Sequence, residues 1–150
     1  RSERSRSLMN LETIQEMWEK DSKIDTDLYC EESVKIPALH AKYHSLLNTF
    51  STLKIDREQE VNRLLRDKWI YYKGKAPSKV YAEIPFDLKL TNKDEVETFV
   101  NADADVQKAR ARLAYIEVCL NYLDSVIRTI NNRGFQIKNA IDWEKFKAGF

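Results

Sequence analysis

VQKARARLAYIEVCLNYLDSVIRTI, residues 106–130, is the stretch whose reading decides the fold. Its apolar residues Val106, Ala109, Leu113, Ile116, Leu120, Leu123, Ile127 and Ile130 recur at steps of 3-4-3-4-3-4-3. That spacing is the a/d seam of a long amphipathic helix. Such a stripe is stable only when another helix covers it. Gly134 follows as the left-handed residue that would end the helix. A final amphipathic piece with Phe135, Ile137, Ile141, Trp143 and Phe146 is too short to stand alone. It has to dock on its own core or on a second subunit.

A partner for the seam lies upstream. Ile36, Leu39, Tyr43, Leu46, Phe50 and Leu53 also step 3-4-3-4-3. Pro37 inside that pattern either kinks the helix or marks where its straight part begins. After Leu53 the register changes to Val61, Leu64, Leu65 and Trp69, and Gly74 and Pro77 stop the helix. Before it comes a short helix capped by Asn10, with Leu11, Ile14, Met17 and Trp18 on one face, and a polar turn over residues 21–26. Asp25 or Thr26 there can cap the long helix.

Between the two seams, Val80, Ala82, Ile84, Phe86, Leu88 and Leu90 alternate with polar or less apolar residues, the period of an extended strand with one buried face. Pro85 places that strand at an edge, and with no second strand in the chain its partner would come from another subunit. Asn92 and Glu95 form a capping box for a further helix containing Val96, Phe99 and Val100, with an interruption at residues 101–103. The expected fold is mostly α: long helices with heptad seams in a helical hairpin and a short extended or β connector, with self-association covering the apolar faces that remain.

Composition sets the outer bounds. Apolar residues make up 43% and charged residues 33% of the 150, as in an ordered chain with a charged surface. Arg1–Leu8 reads as the remnant of an expression tag, because it is rich in Ser and Arg and precedes Met9 and a helix start. Setting aside Arg1, Arg4, Arg6 and Glu3 lowers 25 basic and 24 acidic residues to 22 and 23, a net of −1. Any nucleic-acid surface must then be local. The expected division is a helical core over 9–132, which would carry any such surface, and an oligomerisation segment over 133–150. Cys30 and Cys119 stand far apart without ligand patterns and read as two buried thiols in a reducing compartment. No apolar run reaches the roughly 20 residues of a membrane span.

Enzyme signatures do not surface. With three glycines, at 74, 134 and 149, there is no phosphate-binding loop. His40 and His44 are four residues apart but lack a third ligand nearby, so they read as structural or solvent-facing rather than metal-binding. No catalytic residue, metal or cofactor is expected.

The chemistry concentrates in RLLRDKWIYYKGKAPSK, residues 63–79. Arg63, Arg66, Lys68, Lys73, Lys75 and Lys79 stand against Asp67 alone, a local net of +5. Trp69, Tyr71 and Tyr72 are interleaved with them. Cations that follow phosphates, mixed with rings that stack on unpaired bases, suit single-stranded nucleic acid. Helical geometry brings Arg66, Trp69 and Lys73 onto one face and Lys68, Tyr72 and Lys75 onto a neighbouring one. The competing reading makes the rings packing groups with lysine stems around them. Lys108, Arg110 and Arg112 form a second basic run, of the kind that ordinarily flanks a heptad seam.

LRDKWIYYKGK, residues 65–75, resembles the basic-Leu-aromatic-Tyr-Gly motif of the UvsY family, recombination mediators of T-even-like bacteriophages. Arg133-Gly134-Phe135-Gln136-Ile137-Lys138, followed by Asp142, Phe146, Ala148 and Gly149, is similar to that family's closing segment, and the opening helix with the Ile24-Asp25 turn matches too. The resemblance covers most of Met9–Phe150; the apolar alternation over 80–90 and Pro37 depart from it. It implies a ring-like homo-oligomer, a hexamer or heptamer, that binds single-stranded DNA in the cytoplasm of the infected host. It further implies loading of a RecA-like phage recombinase onto DNA coated by the phage single-strand binding protein. Carried over by position, Arg66, Lys68 and Lys73 would contact DNA, with Tyr71 and Tyr72 as stacking groups. Arg63, Trp69 and Lys75 join them on composition, and Ile137, Ile141, Trp143 and Phe146 would join subunits. The alternative of another class is a structural coiled-coil adaptor without nucleic-acid binding.

Overall fold

A computed structural model describes residues 9–150; the tag reading of Arg1–Leu8 lies outside the described residues. The elements are α1 (Leu11–Asp21), α2 (Tyr29–Val34), α3 (Ile36–Tyr72), α4 (Ser78–Glu83), α5 (Lys93–Ala102) and α6 (Ala104–Lys147). They pack as two compact units. Among the described residues, one contains 9–51 together with Val118–Phe150, the other Thr52–Glu117.

Local chemistry accounts for most boundaries. Asn10 caps α1 by accepting the Thr13 N–H at 2.8 Å, as its position before an apolar-periodic run predicts. Asp25 accepts the Asp27 N–H at 2.9 Å and so closes a turn instead of capping the long helix. That helix opens at Ile36, with Pro37 in its first turn. There the missing N–H has no intrahelical partner to lose. Asn92 caps α5 at Glu95 N, 2.8 Å, and Glu95 reaches back to the Thr91 N–H at 3.2 Å. Asp103 separates α5 from α6 and accepts the Asp105 and Val106 N–H groups at 2.9 and 3.3 Å.

In the first unit Ile14, Tyr43, Phe50, Cys119, Leu123, Val126, Ile130 and Ile137 are buried. Trp18 meets Tyr43 edge-on at 5.4 Å, and the Tyr43 hydroxyl and Lys42 both donate to Asp21, at 2.8 and 2.7 Å. Here the buried stripe of α6 runs through Cys119, Val126 and Arg133, while the predicted Leu120 and Ile127 are only half-buried. The chain leaving α1 reaches α6 at this face. The Arg133 guanidinium donates to the carbonyls of Asp21 at 2.7 Å and Lys23 at 3.0 Å, and to the Glu32 carboxylate at 3.2 Å. Cys119 is buried as expected but Cys30 is exposed on α2, which corrects that half of the thiol reading.

In the second unit Val96, Val100 and Val106 form a buried cluster against which Leu64, Leu65, Tyr72 and Leu90 pack. Ion pairs Lys68–Asp105, Glu60–Arg112 and Lys54–Glu117, at 2.9, 3.0 and 4.0 Å, descend α3 as they climb α6. The two helices are therefore antiparallel here, the hairpin expected from their seams.

Two expectations are corrected. The segment over 80–90 is not a strand, and the described residues contain none. Val80–Glu83 belongs to the one-turn helix α4, and Ile84 leaves it with φ −130° and ψ 90° because Pro85 disfavours helical geometry in the residue before it. The irregular chain that follows pairs with no strand among the described residues. It is held by side chains, with Phe86 and Leu90 tucked in and Ile84 and Leu88 exposed. Second, α6 does not end at Gly134. It continues to Lys147, and the stop lies at Gly149, φ +86°, where Phe150 N–H bonds to Lys145 O at 3.0 Å and Gly149 N–H to Phe146 O at 3.1 Å. A helix tolerates one interior glycine at about 1 kcal/mol, which packing along Arg133 and Ile137 outweighs.

Candidate nucleic-acid interface

The last three turns of α3 carry the basic-aromatic stretch. Val61, Leu64 and Leu65 turn toward the second unit's core, so the helical repeat directs Arg63, Arg66, Trp69 and Lys73 away from it. Arg63 and Arg66 are exposed, Lys73 is partly so, and Trp69 keeps 38% of its surface in solvent. Arg66 pairs with its neighbour Asp67 at 3.0 Å, both well exposed, which is a weak attachment. The helix then ends in a Schellman turn: Gly74 at φ +80° donates to Tyr71 O at 3.1 Å, and Lys75 N–H to Ile70 O at 3.0 Å. This turn brings the Lys75 ammonium over the Trp69 ring, 5.5 Å from its centroid. Lys79 lies exposed at the start of α4.

The remaining three predicted contacts face elsewhere. Lys68 binds Asp105 at 2.9 Å and Asp103 at 3.4 Å and keeps only 20% exposure. Burial alone would lower its pKa, but the two carboxylates outweigh this and raise it. The Tyr72 hydroxyl donates to Asp103 at 2.6 Å; burial, then that bond, pushes its pKa up. Asp103 mirrors this. Burial works against its charge, yet Tyr72, the Val106 N–H, Lys68 and the Asp105 N–H together hold its carboxyl below the usual range. Tyr71 stacks on Tyr81 at 5.4 Å and meets Tyr72 and Phe86 at 4.9 and 5.6 Å, while its hydroxyl donates to Ile84 O at 3.0 Å. Tyr72 meets Phe86 and Phe99 at 5.0 and 5.7 Å. Both tyrosines thus serve as packing groups that fasten the segment after α4 and α5 to the end of α3.

On α6, Arg112 is taken by Glu60 and Arg110 by Asn101, each at 3.0 Å, whereas Lys108 is exposed. Near the C-terminus Ile137 is buried at 3% and Ile141 half-buried within the single chain, so these two are occupied by their own fold. Trp143 and Phe146 are 58% and 70% exposed and stack on each other at 5.6 Å. Asn139 and Asp142 join them around an open depression. Phe135, 70% exposed on the same helix, was not among the predicted contact residues.

The family described as "Recombination, repair and ssDNA binding protein UvsY" matches residues 17–150. The chain belongs to the UvsY family. It is 30% identical over 144 residues to the recombination protein uvsY of Enterobacteria phage T4, covering 94% of this chain and 99% of that protein. Among solved structures, a crystal structure of the bacteriophage T4 recombination mediator protein UvsY superposes with a TM-score of 0.82 at 27% identity. It covers 94% of this chain and 99% of that one. A second lattice form gives 0.80 at 25% identity, over 93% and 99%.

The UvsY-family match contains α2 to α6 whole, together with the basic end of α3 and the closing segment at Arg133–Lys138. The mostly helical architecture agrees with the solved UvsY structures. What reasoning from sequence missed in this member is the anchoring chemistry. Asp103 and Asp105 are the partners that draw Lys68 inward, and the signal was available: two acids flanking a helix start that must pack on the other long helix. Arg133 carried a weaker signal, since nothing in its spacing distinguishes a buried guanidinium from a solvated one.

No helix among the described residues is long and apolar enough to cross a membrane.

Proposed function

We propose that this UvsY-family protein binds single-stranded DNA without sequence preference and acts in recombination as a mediator. In that role it assists a RecA-like recombinase onto DNA coated by a single-strand binding protein. The observation that carries the reading is the outward grouping of Arg63, Arg66, Trp69, Lys73 and Lys75 on one end of α3, in a chain whose family description names ssDNA binding. Cations on one helical face can follow successive phosphates, and such contacts carry no base information. Lys68, Tyr71 and Tyr72 support the site by holding the helix end, the Schellman turn and α5 together.

One such patch per protomer gives modest affinity. We propose that self-association, as a ring of six or seven copies, repeats it. A strand engaged by one patch then meets the next at high effective concentration, raising avidity by roughly 10²–10⁴ without any new contact. The exposed aromatic residues Phe135, Trp143 and Phe146 favour the last turns of α6 as the contact between copies. An assembly of this kind works where the DNA is, in the host cytoplasm.

The test is fluorescence anisotropy with a short single-stranded oligonucleotide. An Arg66→Ala/Lys73→Ala variant should bind at least tenfold more weakly at low salt while sedimenting at the wild-type mass. Unchanged titration curves would refute the assignment of the surface. A wild-type chain with no oligonucleotide binding at low salt would leave the adaptor reading in its place. Trp143→Ser/Phe146→Ser should sediment at lower mass; an unaltered mass would remove α6 from the proposed subunit contact.

A further inference from the structure

We infer that Trp69 is the residue by which this protein distinguishes a single strand from a duplex, an inference that rests on the DNA-binding reading above. Six rings stand at this end of the second unit: Trp69, Tyr71, Tyr72, Tyr81, Phe86 and Phe99. The three tyrosines are engaged with one another, with Phe86 and with Phe99, at centroid distances of 4.9–5.7 Å. Their hydroxyls are bonded as well, Tyr71 to Ile84 O, Tyr72 to Asp103 and Tyr81 to Tyr71 O. A base cannot reach them without dismantling the packing. Trp69 has no ring neighbour among the described residues and is 38% exposed. What stands over it is a lysine ammonium.

The flanking cations cannot make the distinction. Arg63, Arg66, Lys73 and Lys75 meet phosphates, which single strands and duplexes both present. The π-face of a base is different, because in a duplex it is covered by its stacking neighbours and in a single strand it is available. An exposed indole placed among phosphate-binding cations therefore favours unpaired DNA selectively. Lys75 serves as the ring's resting cover. An exposed cation–π contact corresponds to a factor of about 2–5 in an equilibrium. Stacking of one base corresponds to roughly 5- to 150-fold, so the base displaces the ammonium. The freed Lys75 charge remains beside the strand for a phosphate.

The experiment compares one oligonucleotide as a single strand and as a duplex, by anisotropy at fixed salt, with sedimentation mass checked for each variant. Trp69→Ala should lower single-strand affinity by roughly 5- to 150-fold and duplex affinity less than about twofold. Trp69→Phe should fall between wild type and Trp69→Ala. Arg66→Ala/Lys73→Ala should lower both affinities. Intrinsic tryptophan fluorescence supplies a second readout: single strands should quench it in the wild type, duplexes should not, and Trp69→Phe should abolish the difference. If Trp69→Ala lowers both affinities equally or neither, while Arg66→Ala/Lys73→Ala still weakens both, strand discrimination does not lie at Trp69 and this inference fails alone. If the arginine–lysine variant changes nothing, the underlying reading of the surface fails first.

Discussion

Replacing Arg133 by Met should be among the most destabilising single changes on α6. The Arg133 side chain is 3% exposed and the Glu32 carboxylate 8%, so methionine keeps much of the volume and removes the charge and all three hydrogen bonds. Breaking a buried pair from one side typically costs about 3–5 kcal/mol, because the remaining charge is stranded. Lys35 also lies 3.3 Å from Glu32, but its side chain is 61% exposed and gives little compensation. The carbonyls of Asp21 and Lys23 lose their donors as well. With a urea slope of about 2 kcal/mol/M, the midpoint should fall by roughly 1.5–2.5 M. The assay is urea unfolding followed by far-ultraviolet circular dichroism at one fixed protein concentration, since the proposed self-association would make stability concentration-dependent. Glu32→Gln added to Arg133→Met should recover part of the loss, because it neutralises the stranded charge. A shift below about 0.5 M for Arg133→Met, or no recovery in the double variant, would refute the view that this pair fastens α2 and the chain after α1 to α6.

Three further outcomes follow from particular sites. Asp103→Asn keeps a capping side chain but loses the charge that Tyr72 and Lys68 bind, so near pH 7 it should cost about 1.5–3 kcal/mol. The Asp103 pKa is lowered in the folded chain. Its stabilisation is therefore present above the ordinary carboxylate range, near pH 4, and lost as pH falls through the folded value. The gap between wild type and Asp103→Asn in chemical denaturation should close in acid, and a gap independent of pH would contradict the charged contact. The glycines should respond with opposite signs. Gly134 is helical with open space where a Cβ would stand, so Gly134→Ala should stabilise by about 0.5–1 kcal/mol. Gly74 sits at φ +80°, so Gly74→Ala should destabilise by about 1–2 kcal/mol, both read from thermal or urea midpoints.

Much of this was legible in the sequence, and the reasons separate cleanly. Heptad spacing named both long helices because a 3-4 repeat sustained over several turns keeps apolar groups on one side of a helix and scatters them over both faces of a strand. Asn10 and Asn92 marked helix starts through local chemistry that needs no tertiary information. Gly74 was read correctly and Gly134 was not, although both follow a seam. The difference is that buried Arg133 and Ile137 carry the helix past Gly134, a tertiary effect with no local signature. Period two over residues 80–90 misled because Val80–Glu83 lies in a helix too short for any period to register, and Pro85 separates that helix from the irregular chain after it. At the basic end of α3 composition identified the right stretch but could not sort its faces. Asp103 and Asp105, more than 30 residues away in sequence, draw Lys68 and Tyr72 inward and leave Arg63, Arg66, Trp69, Lys73 and Lys75 outside.

The most direct test of the central claim is the salt dependence of single-strand binding by the full chain. If the outward face of α3 grips phosphates, log affinity should fall linearly with log salt, with a slope of about −0.7 for each phosphate neutralised. The slope should become shallower in Arg66→Ala/Lys73→Ala. Affinity that does not change with salt, or a slope identical in that variant, would contradict the account.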